Sequence, residues 1–243
     1  MRGTGATCLL LLASSGAGGE GADLAPLFAA MGEAAERVTD YTCRFTKQEE
    51  VGGTLRPTET IVLKQSRPLG CIYMRWTGEP HRNRETIYCR ERYGGRLQVH
   101  EGGGVAGWLG TLSLDPAGAV AMRGERHPIT EAGILYTVDT VRRSLERARA
   151  RGPTGEPRAD VHEAEVEGQP SVCATIEPGA PGEQGYAAAR VEVCSHRSLH
   201  LPTRLRVWEP DGRLVEHYTY ADYGLNPGLT ERDFDTANRD YGF

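Results

Sequence analysis

Residues 71–76 read CIYMRW, and the alternation inside that stretch decides how the rest of the chain is read. Successive strand side chains point to opposite faces, so Ile72, Met74 and Trp76 share one side and Cys71, Tyr73 and Arg75 the other. The same period of two runs upstream. TIVLKQ (60–65) sets Ile61 and Leu63 against Val62 and Lys64, and YTCRF (41–45) sets Tyr41, Cys43 and Phe45 against Thr42 and Arg44. Downstream, RETIYCRERYGGRLQVHE (84–101) reads as two strands joined at Gly94-Gly95. The pattern returns in SVCATIE, ARVEVCSH, TRLRVWE and RLVEHYTYADY, between residues 171 and 223. Strands at regular spacing with turn residues between them predict a meander of antiparallel hairpins.

Two segments change to helical spacing. In DLAPLFAAMGEAAERV (23–38), Leu24, Leu27, Phe28, Met31, Ala35 and Val38 fall on one face, with Asp23 placed as N-cap and Pro26 in the first turn. In ITEAGILYTVDTVRRSLERARA (129–150), Ile134, Val138, Val141 and Leu145 recur at helical spacing, with Thr130 placed to cap and Glu131 in the first turn. His127 precedes Pro128, which favours an extended backbone there. RGPTGEPR (151–158) is too short to separate independent cores, so strands on both sides of the second helix predict one sheet-based domain over residues 23–243. No internal repeat is present.

With 39% hydrophobic and 25% charged residues the composition is that of a globular chain, and a net charge of -5 without a basic stripe argues against nucleic acid. Residues 1–22 set Arg2 before a short apolar run, Cys8 to Ala13, and then small residues. That is the layout of a secretory signal peptide cleaved near Ala17 to Ala22. No later stretch approaches the ~20 apolar residues of a membrane-crossing helix. Export to the periplasm or beyond permits disulfides. Without Cys8 five cysteines remain, so at least one is free or paired between molecules. Strand parity puts Cys173 and Cys194 on one face if their strands pair. They could bridge there, and two unpaired thiols fit the pattern equally.

The catalytic and metal inventory is empty. CSHRSLHLP (194–202) offers Cys194, His196 and His200 without the spacing of a structural zinc site, and no nucleophile accompanies His127 and Glu131. His81, at a hairpin tip, is expected to be solvated. No serine-hydrolase, zinc-protease, phosphate-loop or dinucleotide signature occurs, and nothing calls for a cofactor or a metal. What remains is apolar surface. A curled antiparallel sheet with helices on its concave side can enclose a hollow lined by Phe45, Leu63, Ile72, Met74, Trp76, Leu97 and Val99. Periodicity alone favours helices that simply fill it.

Three segments carry a resemblance: YTCRFTKQEEVGGTLRPTETIVLKQSRPLGCIYMRWTGEPHRNRETIY (41–88), LSLDPAGAVAMRGERHPITEAGI (112–134) and LPTRLRVWEPDGRLVEHYTYADYGLNPGLTERDFDTANRDYGF (201–243). In these the chain resembles the DUF1571 family of exported bacterial proteins and, more distantly, the LolA- and LolB-like periplasmic lipoprotein carriers. The resemblance implies a mainly β (α+β) fold: a strongly curved antiparallel half-barrel whose concave side is covered by the N-terminal helix and a helical lid at about 128–150. His127, Pro128, Ile129, Ile134 and Val138 belong to that lid. It implies a non-enzymatic carrier or binder of lipid acyl chains or a lipoprotein. Two readings compete with this: an envelope interaction module with a filled core that binds another envelope protein, and a thiol or metal hydrolase built on Cys194 and its histidines.

Overall fold

The computed structural model describes residues 23–103, 110–149, 158–177 and 189–243; the expected signal peptide and the loop 151–157 lie outside them. Among the described residues, twelve strands form one antiparallel sheet. They are β1 (Asp40–Val51), β2 (Thr54–Leu55), β3 (Glu59–Ser66), β4 (Cys71–Trp76), β5 (Glu85–Cys89), β6 (Leu97–His100), β7 (Leu112–Leu114), β8 (Arg158–Val166), β9 (Gln169–Glu177), β10 (Arg190–His196), β11 (Pro202–Trp208) and β12 (Leu214–Leu225). The spatial order is β7-β6-β5-β4-β3-β1-β12-β11-β10-β9-β8, with β2 hairpinned onto β1.

Two meanders therefore meet at a central seam where β1 pairs β12, for example Phe45 opposite Tyr220 and Lys47 opposite Tyr218. The sheet curves into an open half-barrel that does not close, leaving β7 and β8 as its edges. This order has a consequence for the connection. A chain leaving β7 at one edge must reach β8 at the other, so the insertion between them has to travel across the mouth.

Helix α1 (Ala25–Glu36) and helix α2 (Ile134–Arg149) lie on the concave side. Leu24, Phe28 and Met31 of α1 share a core cluster with Val138 of α2 and with Ala174 and Val193 of the sheet. The second concave cluster joins Val38, Tyr41, Phe45, Ile61, Leu63, Ile72 and Ile134. Leu24, not Asp23, occupies the cap position of α1, although an Asp23 carboxylate oxygen accepts the Ala25 N–H at 2.9 Å. The helix ends at Glu36, two residues short of Val38.

The start of α2 departs from the expected one. Ile129–Glu131 form a separate 3-10 turn, and α2 opens only at Ile134. Gly133 between them has φ +92°, and a Cβ there would sit 2.3 Å from the Tyr41 hydroxyl. That close approach is the reason for glycine. It lets the Ile134 N–H donate to Tyr41 Oη at 3.0 Å, while Tyr41 donates to Gln65 Oε1 at 2.7 Å. Thr130 therefore caps nothing, and Glu131 is not in the first turn of α2.

The convex face carries features the alternation did not foretell. Cys71 and Tyr73 of β4, with Ile87 and Cys89 of β5, are covered by the C-terminal segment through Phe234, Tyr241 and Phe243. Tyr241 stacks on Tyr73 with centroids 4.3 Å apart, and Lys64 Nζ reaches Asp233 Oδ1 and Tyr241 Oη, each at 3.1 Å. Disulfides join Cys71 to Cys89 and Cys173 to Cys194, each across a directly opposed strand pair. Cys43 is free and buried. With its sulfur bonded, Cys194 has no thiol to act as a nucleophile or metal ligand, which removes the hydrolase reading.

Candidate functional site

Sheet and insertion do not close on each other completely. Between them lies a cavity of about 670 Å³. One wing is walled by β4, β6 and β7, through Met74, Trp76, Leu97, Val99, Leu112 and Leu114. The other runs beneath α2, between Val141 and the sheet residues Ile176, Val191, Val193 and Leu205. Phe45, Tyr218 and Tyr220 form the floor where the wings meet, with Phe45 stacked on Tyr220 at 5.1 Å between centroids. The expectation of a filled hollow is thus incorrect. Val138 of α2 packs directly on Ala174 and Val193 of the sheet, so the helix fills only part of the space and the cavity continues beside it.

Of the seven residues expected to line the hollow, Phe45, Met74, Trp76, Leu97 and Val99 stand on its wall. Leu63 and Ile72 do not. They sit in the solid part of the core with Tyr41 and Ile134, at 0% and 5% exposure. Among the lid residues, His127, Pro128 and Ile129 face the cavity, whereas Ile134 and Val138 are buried in the helix packing.

A charged cluster closes the cavity where residues 125–131 cross β1 and β12. Lys47, buried on β1, is paired with Glu125 of the insertion and stands 3.7 Å from Glu59 and 3.9 Å from Glu49. Burial opposes the ammonium charge, but the three carboxylates outweigh it, so the Lys47 pKa is raised. Glu49 accepts the Tyr218 hydroxyl at 2.6 Å and the Arg126 backbone N–H at 2.8 Å. Glu59 accepts the Trp76 indole N–H at 2.5 Å. Arg84 pairs with Glu101 at 2.9 Å and lies 5.5 Å from the Trp76 ring centroid. His81, expected in solvent, is partly buried, 3.9 Å from Glu59.

His127 sits between two carboxylates, with Nδ1 3.0 Å from Glu131 and Nε2 3.1 Å from Glu216, and Arg126 Nε donates to Glu216 at 2.8 Å. The hydrogen bond to Glu216 is the largest influence on the imidazole and, against burial, raises its pKa to about 9. Burial pushes the Glu216 carboxyl up, but His127 and Arg126 prevail and hold it below the ordinary carboxylate range. A raised histidine pKa stabilises the fold fully below its ordinary value of 6.5, and that contribution is lost as pH rises through about 9. The stability difference between the native chain and His127→Gln, measured by urea unfolding, should therefore shrink steadily across that interval. A difference that stays constant would show that His127 titrates normally. Because about a third of the side chain is exposed, solvent screening keeps the effect modest.

Sequence reasoning missed this cluster, yet parity carries a signal for it. Lys47 and Glu49 continue the inward set Tyr41, Cys43 and Phe45; Glu59 precedes Ile61 and Leu63, and Glu216 precedes Tyr218 and Tyr220 on the same face. Charges on the buried side of otherwise apolar strands mark a polar interior site. Among the described residues, no group of three or more His, Cys, Asp or Glu is arranged to hold a metal ion. No helix there is long and apolar enough to cross a membrane.

The fold is similar to several solved structures. These include the Mycobacterium tuberculosis lipoprotein LppX, at 12% identity over 88% of this chain and 100% of that one, with a TM-score of 0.49. They also include the Pseudomonas aeruginosa MucA/MucB complex, at 16% identity over 88% of this chain and 61% of that one, TM-score 0.46. A LolA superfamily protein from Nitrosomonas europaea matches at 11% identity over 86% and 96%, TM-score 0.35. This chain thus spans less than two thirds of the chain matched in the MucA/MucB structure. At such identities no residue of these proteins can be carried over. No curated protein matches the chain. The family model described as "Protein of unknown function (DUF1571)" matches residues 38–243, taking in every strand of the sheet and both walls of the cavity, and the chain belongs to that family.

Proposed function

We propose that this is a non-enzymatic, exported protein that shelters a lipid acyl chain, free or as part of a lipoprotein, in the hollow between sheet and insertion. The observation that carries the reading is the cavity itself: about 670 Å³, with apolar side chains along both wings. A cavity of about 150 Å³ accepts benzene, or roughly 25 Å³ per carbon. By that measure the hollow has room for roughly two dozen carbons. Each methylene withdrawn from water contributes about 0.8 kcal/mol, so even a partly inserted chain is held firmly.

Two disulfides support an oxidising compartment outside the cytoplasm, in keeping with the expected signal peptide. The charged groups at the crossing are tied to one another rather than presented to a reacting bond, which supports binding over catalysis. The competing interaction module presupposes a filled interior, and the interior is not filled. Organic extraction of the purified full-length protein, followed by mass spectrometry, is expected to release an acyl lipid in near-stoichiometric amount. Protein that carries no lipid and does not take up a neutral apolar dye such as N-phenylnaphthylamine would overturn the reading.

A further inference from the structure

The charges on the cavity wall are already satisfied. Lys47, Arg84 and His127 each face a carboxylate at ion-pair distance, as described above, and Arg123, the remaining cation of the wall, is exposed at the rim. Among the described residues, no cation in the enclosed part is left to neutralise an incoming anion. An anionic group entering there would meet a Lys47 that already has three carboxylates around it, in a setting where water screens little. A cationic group would have to displace one of the existing cations.

Among the described residues two side-chain oxygens on the wall lack a partner, Oγ1 of Thr140 on α2 and Oγ1 of Thr86, and of these two residues Thr86 is buried whereas Thr140 is half-buried. Thr86 of β5 lines the cavity at 5% exposure, flanked in register by Met74 and Val99, which also line it. Its Oγ1 has no hydrogen-bond partner. Buried hydroxyls are nearly always paired, and a threonine hydroxyl can donate to a carbonyl or accept from another hydroxyl. A purely hydrocarbon guest would leave it orphaned.

From these two observations we infer that the enclosed part of the ligand is uncharged and carries an ester or hydroxyl oxygen to Thr86. This rests on the acyl-binding reading and narrows its ligand class to neutral acyl esters, as against free fatty acids. A fatty-acid carboxylate is disfavoured inside, and the ester carbonyl of a glyceride supplies the acceptor that Thr86 lacks.

The experiment is displacement of bound N-phenylnaphthylamine from the full-length protein by palmitate and by monopalmitin, which share one chain, at neutral pH. Monopalmitin is expected to compete at a concentration at least about tenfold lower. Thr86→Val should weaken monopalmitin about fivefold or more while leaving palmitate unchanged, and Thr86→Ser should restore it. Thr86→Val should also raise the Tm of the lipid-free protein, because it removes an unpaired buried hydroxyl; a merely structural threonine would lower it. Equal competition by the two probes, or a monopalmitin affinity indifferent to Thr86→Val, would overturn this inference and leave the acyl-binding reading standing. Failure of the dye and both probes to bind would overturn the acyl-binding reading itself.

Discussion

Replacing Lys47 with methionine lowers the free energy of unfolding by about 3–5 kcal/mol, the cost of leaving buried carboxylates without their counter-ion. Lys47 is 8% exposed, and the three carboxylates around it come from three segments: Glu49 on its own strand, Glu59 on β3 and Glu125 on the insertion. Glu49 and Glu59 are themselves buried at 6% and 7%. Methionine keeps the length of the stem and removes only the charge, so loss of packing is a minor part of the effect. The double variant Lys47→Met/Glu125→Gln should recover at least about 1 kcal/mol relative to additivity, since the two side chains are in direct contact. Urea unfolding of the four proteins gives the cycle. A loss below about 1 kcal/mol for Lys47→Met would mean that the carboxylates turn out to water, and that the crossing segment is not held through this lysine.

The second large effect is on binding. Val191 lies on the cavity wall together with Val141 of α2, Val193 and Leu205. Val191→Trp should fill much of the wing they line. Because the ring would project into the cavity rather than into packed core, it is expected to leave the Tm unchanged or raise it, as cavity-filling changes commonly do by about 0.5–2 kcal/mol. Acyl binding should fall by about a hundredfold or more, as several methylenes at about 0.8 kcal/mol each lose their place. Dye titration and thermal melting on the same samples separate the outcomes. A stabilised variant that binds as before would place the ligand elsewhere.

Much of the architecture was legible before any coordinates, because it depends on local alternation. The inward set Ile72, Met74 and Trp76 and the outward set Cys71 and Tyr73 follow from period two alone. That Cys173 and Cys194 share a face also follows, once their strands pair, whereas their direct opposition needed the register. The insertion's place as a lid was implied by the family resemblance alone, and the strand order, with β7 and β8 as opposite edges, became visible only in the structure. What the residues did not reveal depends on contacts between distant segments. Thr130 and Glu131 resemble a helix start in isolation, and only the Tyr41 hydroxyl, far away in sequence, explains why α2 waits for Gly133. Cys71 and Cys89 sit in strands that the alternation identified, but their bridge needed the register of that hairpin. The covering of Tyr73 and Ile87 by Phe234 and Tyr241 has no local signal, because both partners read as ordinary apolar residues. Leu63 and Ile72 differ from Met74 and Trp76 only in how far along the sheet they lie, and periodicity does not distinguish core from cavity wall.

The claim on which the functional account depends is that a hydrocarbon chain enters the space between the concave face and the insertion. A monoacylglycerol carrying a photoactivatable diazirine along its chain tests this directly: it is bound to the full-length protein, irradiated, and the adducts are located by peptide mass spectrometry. The account predicts labelling of cavity-wall residues such as Met74, Leu97, Val141 and Leu205, suppressed by excess unlabelled monoglyceride, with none around Tyr73 and Phe234 on the outer face. Adducts confined to the outer face, or labelling that excess monoglyceride does not reduce, would contradict it.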